Sequence, residues 1–229
     1  MTKNDIKLLK VFGAPISYYT LTKDTVKKLD LRGDVTFECD KAYDSKFRLK
    51  AGIFANNEQM KVVDDLVVIR NGNNTRVITD KDLFNFPDDA SEMFYGCDAS
   101  SLDLSKFDTS QVTNMNNMFS NCHAISLDLS NFDTSQVTNM SQMFFSCDVK
   151  SLDLSKFNTS NVTAMLGMFS NCQAKSLDLR NFDTSQVMDM REMFRDCKAE
   201  FIDVSNFDKS NVIRMEEMFA DCHAIVKGV

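Results

Sequence analysis

The chain has 229 residues, of which 43% are hydrophobic and 26% are charged, as is typical of soluble globular proteins. Its formal net charge is −7, and the excess is local: residues 76–229 hold 13 basic and 23 acidic residues, whereas residues 1–75 hold 13 and 10. Because nucleic-acid-binding proteins usually present a basic surface, this balance argues against direct binding to DNA or RNA. No apolar run reaches the length of a membrane span.

Residues 1–75 contain no repeat, and their pattern predicts a small α+β cap domain. The stretch LVVIRNGNNTRVIT, residues 66–79, indicates two strands around an Asn-Gly turn. The other predicted elements of this part are helices near Asp5–Val11 and Lys23–Leu29 and strands near Val35–Cys39 and Phe47–Ile53.

The first residues, MTKNDIKLLKVFGAPISYY, lack the long apolar run of a secretory signal. The sequence as printed therefore predicts a cytoplasmic protein, with a cell-surface protein as the alternative if an export signal lies upstream.

From residue 76 onwards the chain repeats with a period of 25 residues, as a half repeat followed by five full repeats. Such periodicity is the signature of a repeat architecture. The conserved columns of the five full copies are Leu102, Leu127, Leu152, Leu177 and Ile202; Phe107 to Phe207; Val112 to Val212; Met115 to Met215; Met118 to Met218; Phe119 to Phe219; and Cys122 to Cys222, with Cys97 in the half repeat.

Each repeat combines two hydrophobic periods. The motif SLDLS alternates apolar and polar residues, which predicts a strand with one buried face. Val112, Met115, Met118 and Phe119 then follow the spacing of one stripe of an α-helix. Ser110, which recurs in every copy, precedes this stripe where a helix N-cap is expected.

One strand and one helix cannot bury their apolar faces alone, so the repeats are expected to stack. The predicted fold is therefore an α/β right-handed solenoid with a parallel sheet, comprising residues 76–229 behind the cap domain of residues 1–75. After Cys222 only HAIVKGV follows. This uncapped C-terminal side predicts an exposed surface through which the protein could associate with itself.

The repeat unit resembles a known family. The stretch LDLSNFDTSQVTNMSQMF, residues 127–144, with Cys147 behind it, is similar to the BspA-like leucine-rich repeats of bacterial and mycoplasma proteins. The resemblance covers about residues 85–225. It implies a leucine-rich-repeat solenoid that binds other proteins, and many relatives are exported surface proteins, some of them adhesins.

Several features that often mark catalytic or metal sites are explained better by packing. The methionine columns share the predicted inward stripe with Val and Phe, so core packing is favoured over soft-metal binding. The cysteine column is interpreted as small buried thiols. His123 and His223 lie four repeats apart and cannot share a metal. We therefore predict no enzymatic activity and no cofactor or metal site.

The candidate binding residues are the aspartates between the two leucines of each strand, which must point out of the sheet. Neighbours in this row should lie about 4.8 Å apart. Two interpretations remain open: a solvated face that keeps the sheet from aggregating, and an acidic surface for a Lys/Arg-rich partner or a cation. The residues concerned are Asp103, Asp128, Asp153, Asp178 and Asp203.

Phe145 is a second candidate for partner binding. It is aromatic where the neighbouring repeats carry Ser120 and Ser170, on a predicted outer face. Variable residues on a rigid scaffold suit recognition, and they suit neutral drift equally well.

The leading functional hypothesis is a non-catalytic protein–protein interaction module that binds a partner through the acidic sheet face, the N-terminal cap or both. One alternative is an exported surface adhesin. Another is an intracellular inhibitor or immunity protein that blocks an enzyme or toxin. A third, weaker alternative is an enzyme formed by residues 1–75.

Overall fold

The structure is a computed structural model that describes residues 16–40 and 59–229. These residues form one helix and eleven short strands: β1 (Tyr18–Thr20), α1 (Lys23–Leu29), β2 (Gly33–Cys39), β3 (Gln59–Val63), β4 (Leu66–Asn71), β5 (Asn74–Thr79), β6 (Leu83–Asn85), β7 (Ala99–Asp103), β8 (Phe107–Asp108), β9 (Ser126–Asp128), β10 (Phe201–Asp203) and β11 (Ile225–Lys227).

The local elements predicted before the repeats are confirmed wherever they fall on described residues. Helix α1 has the predicted bounds, and the Thr22 hydroxyl accepts a hydrogen bond from the backbone N–H of Thr25 at its start. Strands β4 and β5 form the predicted hairpin, with Asn71 opposite Asn74. The helix predicted near Asp5–Val11 and the strand near Phe47–Ile53 lie outside the described residues.

The N-terminal strands and the first repeat strands share one sheet. Its strand order is β3-β4-β5-β2-β7-β9, and β2 pairs in parallel with both β5 and β7. Residues 76–79, which align loosely with the strand position of a repeat, belong to β5, and β2 lies between this strand and β7. The sheet of the repeats is thus extended by a strand from much earlier in the chain.

The strand segments of the repeats pair in parallel at the two sides of the array and only sparsely in its middle. Strand β7 pairs with β9 and β10 with β11, each with partners about one repeat apart in sequence. Residues 151–154 form no strand. There the Asn181 amide donates to the carbonyl oxygens of Leu154 and Phe157, so a side chain replaces part of the main-chain pairing.

The helix predicted in each repeat does not form. In the first full repeat, Met118 N–H bonds to the Met115 carbonyl and Cys122 N–H to the Phe119 carbonyl, which are the bonds of consecutive four-residue turns. Asn117 and Asn121, the third residues of these turns, have φ of 55°. A left-handed residue interrupts an α-helix, whereas two successive turns still bury residues three or four apart. The spacing of the buried residues was predicted correctly, but the backbone conformation was not.

These turns, here called the turn segments (residues 114–122 and their equivalents), are joined by a regular hydrogen-bond ladder. The N–H groups of Met115, Asn117, Phe119 and Asn121 donate to carbonyls of the next repeat. The same four bonds recur between each pair of consecutive turn segments from residue 90 to residue 220, at 2.7–3.1 Å and always in the same direction. We call this array the turn ladder.

The serines predicted as helix caps have a different role. Ser110 N–H donates to the Asp108 carboxylate, so the aspartate side chain closes this turn. The neighbouring Thr109 is buried, and its hydroxyl donates to the Asp133 carbonyl and accepts from the Asp133 N–H. Equivalent threonines of the next repeats, Thr134 and Thr159, make the same two bonds. Each thus connects a repeat to the next one.

A single cluster of buried side chains runs from the N-terminal elements through the repeats. Six phenylalanines stack along it at centroid distances of 5.4–5.8 Å: Phe94, Phe119, Phe144, Phe169, Phe194 and Phe219. The thiols are free, and those from Cys97 to Cys197 are buried. Its contact with Cys147 and, to a lesser degree, its burial raise the pKa of the Cys122 thiol to about 12.

Candidate functional site

The five predicted aspartates lie in equivalent places on the outer side of the strand segments, which we call the strand face. Asp128, Asp153 and Asp178 are exposed, and Asp103 and Asp203 are partly exposed. Asp103 pairs with Asp128 in adjacent parallel strands, where strands lie about 4.8 Å apart. The outward orientation predicted for this column is confirmed.

Each of these carboxylates also closes a turn. The Oδ1 atoms of Asp103, Asp128 and Asp153 accept the backbone N–H two residues later at 2.9–3.0 Å, and Asp178 and Asp203 do the same. One oxygen of every carboxylate therefore has a local structural role, and only Oδ2 faces outward without a turn to close.

The row is divided electrostatically. Asp178 forms an ion pair with Arg180 at 2.6 Å, and Asp203 forms one with Lys227 at 2.9 Å. Among the described residues no Lys or Arg lies within ion-pair distance of the other three. We call Asp103, Asp128 and Asp153 the acidic triplet. An unbroken acidic row is therefore not present: only the part nearest β2 keeps unpaired negative charge.

Hydrogen bonds stabilise the charged forms of three of these carboxylates, those of Asp153, Asp178 and Asp203. The Arg180 guanidinium and backbone N–H lower the pKa of Asp178 to about 2. Bonds from Ser205, with a further one from Lys227, lower the pKa of Asp203 to about 2. The pKa of Asp153 is also lowered, chiefly by its hydrogen bonds with Ser155. These carboxylates therefore stay charged well below neutral pH.

We expect Asp178 to titrate with a midpoint of about 2 when its carboxyl carbon is followed by NMR. Because its folded pKa lies below the unfolded value of about 3.9, its contribution to stability is present above that value and is lost as the pH falls through about 2. Replacing Arg180 with Gln should move the midpoint up toward the unfolded value. Arg195→Gln, which removes a cation paired with Glu217 instead, should leave it unchanged; an upward shift there would contradict the local cause.

Phe145 is not part of the strand face. It lies in a turn segment, is half-buried, and its carbonyl accepts from the Asn121 N–H. Large and small residues alternate in its column, and Ser120 and Ser170 on either side of it are buried. Because Phe145 belongs to a turn segment and not to a strand segment, the structure does not bring it together with the aspartates.

The strand face also carries a groove of about 410 Å³ beside Asp178. Leu152, Leu177 and Phe201 form its apolar wall, and Phe201 is 47% exposed where the other repeats have Ser. Sequence reasoning missed Phe201, although its replacement of Ser176 in the column was a visible signal. The arrangement provides apolar contact and fixed charges, which suit binding rather than bond cleavage.

Other features expected of an active or metal site are sparse. Within residues 16–40 and 59–229 no group of three or more His, Cys, Asp or Glu side chains is arranged to hold a metal ion. His123 bonds to Asp148 at 2.9 Å, and this contact raises the histidine's pKa. No helix in the described part of the chain has the length and apolar character needed to cross a membrane.

Comparison with known proteins gives one result. The chain matches the model of the family described as Mycoplasma protein of unknown function, DUF285, over residues 88–201 and again over 147–228. No curated protein and no solved structure matches it. The matched residues comprise the repeats described above and more than half of the chain. The protein therefore belongs to the DUF285 family of Mycoplasma proteins of unknown function.

Proposed function

We propose that this protein is a non-catalytic protein–protein interaction module of the BspA-like leucine-rich-repeat type, a solenoid whose strand face binds a Lys/Arg-rich segment of a partner. The observation that carries the proposal is the acidic triplet, Asp103, Asp128 and Asp153. Its outward carboxylate oxygens have no Lys or Arg partner among the described residues, unlike those of Asp178 and Asp203.

The rigidity of the triplet supports this role. Because each Oδ1 is held by a backbone N–H, the side chains are already oriented and lose little entropy when a cation binds. Neighbouring carboxylates about 4.8 Å apart repel each other by about 1 kcal/mol even in bulk water. A basic partner relieves this repulsion, which favours association.

The N-terminal cap is proposed to support this surface as well as to cover the first repeat. Thr36 of β2 pairs with Asp103, and Ser101 donates to the Asp34 carboxylate at 2.8 Å. Asp34 thus adds negative charge beside the triplet. Deleting residues 1–75 would remove β2 from the edge of β7 and expose core side chains, so substitutions are the better test of the strand face.

We expect the triple variant Asp103→Asn, Asp128→Asn and Asp153→Asn to bind a synthetic octalysine peptide about tenfold more weakly than the parent protein at low salt. Three exposed ion pairs of about 0.5 kcal/mol each account for this factor. Asparagine retains the Oδ1 acceptor and therefore the turns. Isothermal titration calorimetry at two salt concentrations measures the effect, which should shrink as salt screens the charges.

The matched control is Asp133→Asn, Asp183→Asn and Asp208→Asn. These aspartates also close turns by accepting a backbone N–H, and Asn158 already occupies the same column and makes the same bond. The control removes the same net charge from another part of each repeat. Equal weakening by both triple variants would show that only net charge matters and would refute a binding site at the acidic triplet.

A further inference from the structure

The turn segment of the last repeat exposes side chains that every preceding repeat buries. Met215 is 45% exposed, whereas Met115, Met140, Met165 and Met190 are fully buried. Beside it lies a cavity of about 250 Å³ lined by Val204, Lys209, Met215, Met218, Phe219 and Val229. In the preceding repeats, the side chains of the next repeat occupy the equivalent position.

The same surface has a definite hydrogen-bonding polarity. In the fourth full repeat, the N–H groups of Met190, Glu192, Phe194 and Asp196 donate to carbonyls of the fifth. Their equivalents in the fifth repeat have no acceptor among the described residues: Met215, Glu217, Phe219 and Asp221. Because the turn ladder runs in one direction, this surface offers four donors in a row, and we call it the donor face.

A second copy of the protein is a poor fit to the donor face. Two donor faces placed against each other would oppose N–H groups with N–H groups, which leaves donors unpaired. The matching acceptors would be the carbonyls of Asp89, Ser91, Met93 and Tyr95 at the other side of the array. Helix α1 occupies part of that side: Lys23 bonds to the Ser91 hydroxyl at 2.9 Å, and Met93 is buried, although a cavity of about 350 Å³ remains between α1 and residues 92–98.

We propose that the donor face binds a turn segment of the same repeat pattern, added in the register of the turn ladder. Such a segment has a row of backbone carbonyls for the four free N–H groups, and its Met and Phe side chains fit the exposed apolar surface. The strand part of this added layer is already present, because β11 pairs with β10. This is β-augmentation applied to a turn ladder.

The test uses the full chain and a synthetic peptide with the sequence of residues 130–147, SNFDTSQVTNMSQMFFSC, under reducing conditions. Amide hydrogen exchange is followed at each residue by NMR. Without peptide, Met215, Glu217, Phe219 and Asp221 should exchange at least about tenfold faster than Met190, Glu192, Phe194 and Asp196. Saturating peptide should slow the first four by about tenfold or more, while a scrambled peptide should not.

Two variants complete the test. Met215→Asp should weaken peptide binding by about tenfold, since it places a charge on the apolar part of the donor face. Ile125→Asp introduces the same charge at a comparably exposed residue that precedes β9 and should leave the affinity within about twofold. Circular dichroism checks that both variants fold.

Three outcomes would overturn the proposal: no peptide binding, binding without slower exchange at the four donors, or their protection by a concentration-dependent homodimer. This proposal does not depend on the acidic triplet, because the two surfaces are tested with different probes. Octalysine, the probe of the triplet, has no Met or Phe side chain and no repeat-like turn segment. Failure of either experiment therefore leaves the other interpretable.

Discussion

Replacing Phe169 with alanine is expected to lower the free energy of unfolding by about 3–5 kcal/mol. Phe169 is fully buried, and its ring stacks on Phe144 at 5.8 Å and on Phe194 at 5.7 Å. The substitution removes the ring from the middle of a six-membered stack and leaves a cavity that both neighbouring repeats line. Urea denaturation followed by circular dichroism measures the change.

Phe201→Ala is the matched control, because Phe201 is 47% exposed on the strand face. It should cost less than about 1 kcal/mol. Similar losses from both substitutions would contradict the view that the phenylalanine stack holds the repeats together. In a repeat array, contacts are made chiefly between neighbours, so the Phe169 variant should also broaden the unfolding transition.

The substitution Thr159→Val is expected to destabilise the protein by about 2–4 kcal/mol. The buried hydroxyl of Thr159 donates to the Asp183 carbonyl and accepts from the Asp183 N–H, both at 2.8 Å. Valine has nearly the same shape but leaves both backbone groups without a partner, and each unsatisfied buried group costs about 1–3 kcal/mol. Thermal or urea unfolding provides the measurement.

Thr163 in the same repeat offers the control. It is only partly buried, and its hydroxyl makes a single 3.2 Å bond to the Thr138 carbonyl. Thr163→Val should cost below about 1 kcal/mol, and Thr159→Ser, which keeps the hydroxyl, should be milder than Thr159→Val. If the two valine variants were equally destabilised, the two bonds of the buried hydroxyl would not be the cause.

The apolar columns were predictable from the sequence because burial is repeated in every copy. Val112, Met115, Met118 and Phe119 are all fully buried, as their spacing indicated. The backbone conformation was harder to infer, since two consecutive turns bury the same positions as a helix stripe. The left-handed positions carry only a partial signal. Asn117, Gly167 and Asn171 are residue types that tolerate positive φ, but Gln142, Glu192 and Glu217 adopt it as well.

Pairings between distant parts of the chain were not predictable. Strand β2 lies between β5 and β7, and nothing in its composition indicates that it leaves its sequence neighbours. Gly33 at its start shows why the position is specific: a Cβ there would lie 2.1 Å from the Asn73 carbonyl oxygen. The chain can pass this close to the β4–β5 hairpin only with glycine.

The position of the aspartate column on the outer side of the strand segments was predictable from the repeat, but its charge pattern was not. Arg180 stands two residues from Asp178, so this pairing was visible in the sequence, whereas Lys227 reaches Asp203 across 24 residues. A regular spacing predicts where side chains lie on the surface. It does not predict which of them are neutralised, because that depends on the few residues that depart from the repeat.

The turn ladder and the bonds of the buried threonines connect residues 24 positions apart and use the same chemical groups in each layer. Loss or gain of one whole 25-residue unit would therefore give each remaining donor an acceptor of the same kind, while a change of any other length would shift the columns. A gene encoding such a protein can alter the length of the strand face by unequal recombination between its own repeats, because each added unit folds in the same way. Because the same bonds join each pair of neighbouring repeats, the number of repeats can change while the structure of each repeat stays the same.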